Sequence, residues 1–263
     1  MNILKNIWIL NIILGVLSVS MAEVTVLGDL IHKNTVMIGD SLRGTISLLN
    51  DGDESKQVRV SHLDYHYDSS GSSLYPEPGT LPRSNASWLA FSPRQLTVPP
   101  NEKAEIYYQV HVPDQDTLAG SYWSVLMIEP IQDIDPEVDE NFHIYTVFRY
   151  AIQIINTIHA TGDVSLQFMQ ARITNEDSIR QLEIEMQNIG NLVVRPEVWI
   201  EVYAETGEFL GKFSTQRAHI LPTCSRRLKI DITELRAGIH KAIVIADCGD
   251  DYVFGLDIKL DIQ

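Results

Sequence analysis

The sequence predicts an all-β chain of two tandem antiparallel β-sandwiches behind a secretory signal, and three observations carry that prediction. Short strand-like runs recur along the 263 residues, separated by clusters of Gly, Pro, Asn and Asp, with no long amphipathic helix between them. The pattern restarts after "IHATGD" at 158–163. The opening stretch, "MNILKNIWILNIILGVLSVSMAEV", joins a polar start bearing Lys5 to an apolar run from Ile7 to about Val19 and a small-residue pattern ending at Ala22. Short strands at this spacing without alternating helices form stacked antiparallel sheets. The expected divisions are a signal peptide at 1–22, a first sandwich at 23–158 and a second at 159–263.

The apolar run at the start is about 13 residues long. That is short of the ~20 a helix needs to cross a bilayer, so the reading is a cleaved signal, with an uncleaved anchor as the alternative. No cysteine lies near the cut, and no other segment approaches spanning length. The mature chain of about 240 residues is expected in the periplasm or at the cell surface, without membrane insertion. The full sequence carries 35 Asp and Glu against 20 Lys and Arg, a net charge of -15 that becomes -16 without Lys5, which suits neither nucleic acid nor anionic lipid.

In the first half, "DSLRGTISLLNDGDE" reads as a strand ending in a turn, and "SKQVRVSHLDYHYD" as the next strand. A long Pro/Gly/Ser loop spans 68–87. "WLAFSPRQLTVPPNEKAEIYYQVHVPD" adds two strands around a turn, and "AGSYWSVLMIEPI" and "FHIYTVFRYAIQIINTI" close the unit across the acidic connector "QDIDPEVDEN". The second half holds about seven further strands, with a hairpin turn at 205–208.

Two of these strands are apolar on both faces. In "GSYWSVLMIEPIQ" one face is Tyr122, Ser124, Leu126 and Ile128, and the other is Trp123, Val125 and Met127. The run at 142–155 shows the same excess, with Tyr145 and Val147 opposite the face that holds Phe148, Tyr150 and Ile152. A half-solvated strand alternates apolar with polar, so the second face needs a cover. The second domain or a loop, a partner protein, or a wholly internal position would each supply one.

Residue types limit the chemistry. "HLDYHYD" sets His62, Asp64 and His66 at alternate positions of a strand, about 7 Å apart, where a solvated face and a metal site compete and the solvated face is preferred. The connector's carboxylates read as a charged hairpin rather than a calcium loop. No nucleophile elbow, zinc helix or phosphate loop occurs, so no enzyme, metal or cofactor is expected. Cys224 and Cys248 lie beside turn residues, and the expectation in an oxidising compartment is one disulfide, with two buried free thiols as the alternative.

The stretch "WLAFSPRQLTVPPNEKAEIYYQVHVPDQDTLAGSYWSVLMIEP" resembles the first domain of bacterial extracytoplasmic immunoglobulin-like proteins. These include periplasmic pilus chaperones and the surface proteins that bind WxL-type wall proteins. "MQNIGNLVVRPEVWIEVYAETGEFLG" and "LRAGIHKAIVIADCGDD" look like the sandwich that follows. The resemblance implies a pair of immunoglobulin-like sandwiches whose last first-domain strand is lent to a partner. Here that strand is 142–155, with Phe148, Tyr150 and Ile152 as inserting residues. It also implies basic groups that hold a partner's carboxylate, for which Lys33 and Arg149 are the candidates. The family's Lys near the end of that strand and the Arg-Pro after it have no counterpart. The resulting expectation is a non-enzymatic, chaperone-like or scaffold protein that binds a pilus subunit or surface protein through Trp123, Val125, Met127, Tyr145, Val147 and the lent strand. The alternative is a carbohydrate-binding or adhesin-like module using Trp88, Tyr75 and Tyr65.

Overall fold

The computed structural model describes residues 24–131 and 148–262. The signal segment and the acidic connector lie outside them. The strands of the first half are β1 (Val24–Leu27), β2 (Ile31–Val36), β3 (Ser41–Asn50), β4 (Lys56–Leu63), β5 (His66–Tyr67) and β6 (Ser73–Leu74). They continue with β7 (Leu89–Ser92), β8 (Gln95–Val98), β9 (Lys103–His111), β10 (Ser121–Ile131) and β11 (Tyr150–Ile158). One sheet runs β1-β3-β9-β7 and faces a second, β2-β11-β10-β4-β8, while β5 and β6 form a small hairpin of their own.

The facing sheets follow from alternation. In β9, Ile106, Tyr108 and Val110 are buried while Glu105, Tyr107 and Gln109 face water, so period-2 patterning turns every second side chain into one core. Ile46 and Leu48 of β3, Val58 and Val60 of β4, and Leu126 and Ile128 of β10 fill the same core. One pairing departs from the antiparallel expectation. Gly28, at φ 91°, turns the chain between β1 and β2. The first strand is thereby divided between the sheets, and β2 lies parallel to β11, with Gln153 opposite Ile31 and Ile158 opposite Val36.

The second half contains β12 (Leu166–Glu176), β13 (Ile179–Asn188), β14 (Glu197–Ala204), β15 (Phe209–Ser214), β16 (Ser225–Asp231), β17 (Gly238–Asp247) and β18 (Val253–Ile262). They form sheets β12-β13-β16 and β15-β14-β17-β18. Between these sheets lies a separate core that includes Ile184, Met186, Ile200, Ile230 and Val244. The β14–β15 hairpin closes as its sequence suggests, with Gly207 at φ 90° and its N–H donating to the Ala204 carbonyl at 2.9 Å. Each half is thus an immunoglobulin-like sandwich with its own interior.

Candidate functional site

β10 belongs to two interiors. Its Leu126 and Ile128 enter the first core. Trp123, on the other face, meets Ile155 of β11 and Tyr67 of β5 together with Leu221 and Cys224 of the second sandwich. The indole is 3% exposed and its Nε1–H donates to the Tyr65 carbonyl at 2.7 Å. Val125 is fully buried and Met127 is 6% exposed. This corrects the expectation that Trp123, Val125 and Met127 offer a free docking face. At Trp123, the protein's own second sandwich and its β5 hairpin supply the cover. Tyr145 and Val147 lie outside the described residues.

The lent-strand residues also divide. Ile152 is fully buried in the first core and so does not serve as a free inserting side chain. Tyr150 packs partly against that core, and Phe148 is 50% exposed. β10 pairs with β11 from Tyr150 onward, but β2 joins its other side only at Gln153, whose N–H donates to the Leu30 carbonyl at 2.9 Å. Residues 150–152 therefore have one open edge among the described residues. By strand alternation, the backbone groups of Ala151 face that edge, on the same side as those of Gln153.

A polar clamp joins the sandwiches. The Tyr67 hydroxyl donates to the His219 carbonyl at 2.9 Å and accepts the Leu221 N–H at 3.0 Å. Burial pushes its phenol up to about 12. Ser69 donates its N–H to Ser225 Oγ at 2.9 Å and its hydroxyl to Glu185 Oε2 at 3.0 Å. Beside Gly120, the Ser121 N–H donates to the Asn191 carbonyl at 2.7 Å, and Ser121 Oγ accepts the Val193 N–H at 2.9 Å.

Lys33 of β2 reaches the same junction, with its Nζ 3.1 Å from His219 Nε2. Burial, then the cations Lys33, Arg195 and Arg226, hold the imidazole down to about 4, so at neutral pH it is uncharged and Nε2 can accept from the ammonium. No carboxylate pairs with Lys33 among the described residues. Arg149, the other candidate anchor, is an exposed partner of Glu129 at 3.7 Å.

The remaining candidates separate in space. His62 Nε2 lies 2.8 Å from Ser124 Oγ, whose hydroxyl donates to Asn85 Oδ1 at 2.6 Å. Asp64 is fully buried and accepts from the Gly79 and Leu81 amides and from the Thr80 and Ser84 hydroxyls. The carboxylate thereby organises the Pro/Gly/Ser loop and its acceptor sites are occupied. Trp88 is 7% exposed in the first core, 4.8 Å from the Tyr122 ring, whereas Tyr65 stacks on Tyr75 elsewhere at 5.2 Å. The expected disulfide is absent. Cys224 is buried at the junction, and Cys248 packs against the second core, so each thiol is enclosed by different neighbours. Burial raises both to about 11 and keeps them protonated.

Tyr67, His219 and Asn85 escaped the sequence reading. Their roles depend on partners far along the chain, such as His219, 152 positions on from Tyr67, and only the aromatic character of Tyr67 hinted at burial.

No family model matches the chain, and no curated protein matches its sequence significantly. Solved structures similar to it include pilus and fimbrial chaperones. One is from a chaperone–tip adhesin complex of CFA/I fimbriae, with 12% identity over 90% of this chain and 98% of that one, at a TM-score of 0.47. Another is from the CsuC–CsuE chaperone–tip subunit complex of Acinetobacter baumannii Csu pili, at 13%, 92%, 100% and 0.45 in the same order. A third is from the Salmonella enterica SafA pilin–SafB chaperone complex, at 12%, 91%, 98% and 0.45.

Proposed function

We propose that this chain is a non-enzymatic, extracytoplasmic protein-binding protein that acts in the manner of a chaperone or scaffold. It takes its partner at the start of β11 by strand addition. The observation that carries this reading is the open edge at 150–152 beside the half-exposed Phe148. An unpaired strand edge offers backbone donors and acceptors to an incoming strand, and a neighbouring apolar side chain adds selectivity. Lys33, which meets His219 and no carboxylate among the described residues, supports a role in holding an acidic group of the partner. The secretory signal read from 1–22 supports placement in the periplasm or at the surface, with a pilus subunit or surface protein as the class of partner.

A photoreactive phenylalanine analogue at position 148, in protein expressed in its native envelope, tests this reading. It is expected to cross-link a discrete extracytoplasmic polypeptide, and Ala151→Pro, which removes the outward N–H, is expected to abolish that adduct. The same analogue at Ile243, an exposed position on the second sandwich, serves as the control. An adduct equally strong from 243, or one indifferent to Ala151→Pro in a folded protein, would falsify strand addition at this edge.

A further inference from the structure

A cleft lies between the β5–β6 hairpin of the first sandwich and β16 of the second, with a volume of about 370 Å³. That is within the range of small-ligand sites. Tyr65, Tyr67 and Arg226 line it, with Ser69, Ser70 and Ser73 along the hairpin. The charge account of its walls is uneven. Arg227 is matched by Glu185 at 2.6 Å, and Lys229 by Glu176 at 2.9 Å. Asp68, the carboxylate in the cleft, accepts the N–H and hydroxyl of Ser70. Arg226 has no carboxylate partner among the described residues. Its guanidinium lies 4.7 Å from the Tyr67 ring centroid, and its Nε is buried without a hydrogen bond. In a chain with 15 more acidic than basic residues, this guanidinium is uncompensated.

The hydroxyls indicate what kind of anion would complete the cleft. Ser69 Oγ already donates to Glu185, and Ser70 Oγ to Asp68, so both retain only acceptor capacity. A phosphodiester or an isolated carboxylate accepts but does not donate, and would leave them unused. A sugar acid supplies a carboxylate for Arg226, hydroxyl donors for the serine oxygens, and a ring face. Tyr65 lines the cleft and stacks on the 39%-exposed Tyr75 at 5.2 Å and 19°, so the exposed side of Tyr75 is the aromatic surface available to that face.

We infer that this cleft binds an acidic saccharide of the uronate class, with Arg226 holding its carboxylate. The site is distinct from the β11 edge. Calorimetric titration of the full-length protein with a digalacturonate, a neutral digalactoside and a Glu-rich peptide tests the inference. The uronate is expected to bind more weakly at high salt, and the neutral sugar and the peptide not to bind. Arg226→Gln is expected to weaken uronate binding roughly tenfold to a hundredfold, as for loss of a charge-assisted hydrogen bond, while Arg226→Lys retains part of it. Tyr75→Ala, at an exposed position, provides a variant that spares the junction and is expected to weaken binding several-fold. No uronate binding, equal binding of the neutral sugar, preference for the peptide, or an affinity unchanged in folded Arg226→Gln and Tyr75→Ala would each overturn the inference.

Discussion

Asn50 and Asn188 close corresponding strands of the two sandwiches in the same way. Each is fully buried and followed two residues later by glycine. Asn50 donates to the Glu54 and Val98 carbonyls at 2.7 and 2.9 Å and accepts the Gly52 N–H. Asn188 donates to the Leu192 and Ile220 carbonyls at 2.7 and 2.8 Å and accepts the Gly190 N–H. The difference lies beyond the shared turn. The loop after Asn50 is mostly exposed, whereas Asn191, in the loop after Asn188, takes the Ser121 N–H of β10 on its carbonyl and the Asp163 N–H on its side chain. One local solution thus caps a sandwich in the first half and also fastens two sandwiches in the second. The same turn should therefore respond differently to damage in the two places.

The sharpest way to break this comparison is at Gly120. It sits at φ 77°, and an added Cβ would collide with the Asn191 carbonyl. Gly120→Ala is expected to cost about 3 kcal/mol or more, as strain and overpacking combine against a fixed backbone. Gly79→Ala in the first sandwich has φ 85° but open space around it, and should cost only about 1 kcal/mol. Urea unfolding of both variants measures the gap, and near-equal costs would mean that the joint yields freely.

Next come the asparagines themselves. Asn50→Ala and Asn188→Ala should each lose about 2–3 kcal/mol, because buried carbonyls lose their donor. Only Asn188→Ala is expected to open the connecting segment 159–165 to proteinase K. Equal cleavage in both would show that the fastening does not depend on the turn.

The smallest effect is expected from pH. His219 is held near 4 in the folded protein, below the ~6.5 of an unfolded histidine. Between these values the unfolded chain binds a proton that the native state does not. Stability is therefore lost as pH falls from about 6.5 and levels off below about 4. His62, also lowered by burial, acts in the same direction, so the quantity to read is the difference between wild type and His219→Gln. The variant should show a flatter thermal midpoint between pH 7 and pH 5, and an unchanged slope would exclude a neutral imidazole at the junction.

Much of the fold was legible because its strands alternate. "KAEIYYQVH" announces the inward side of β9 directly, and both faces of β10 are apolar in sequence and buried in space. What covers the second face was not legible, because Leu221 and Cys224 lie about a hundred residues away and nothing local records the approach. The parallel course of β2 was hidden by a single residue, since Gly28 in "VTVLGDLIHK" looks like any loop glycine until its φ is known. The cysteine pair misled for a related reason, as spacing says nothing about which neighbours enclose each thiol. Of the candidate site, Phe148 remains exposed, whereas Ile152 and Trp123 share the apolar alternation but lie inside. Alternation identifies a face without saying whether water or protein meets it.

The indole of Trp123 has a practical corollary. Because part of its enclosure comes from Leu221 and Cys224, dissecting the molecule after Ile158 would leave the amino-terminal fragment with a greasy scar where its neighbour had been. Such a fragment invites self-association, and a clean binding measurement calls for both halves on one polypeptide.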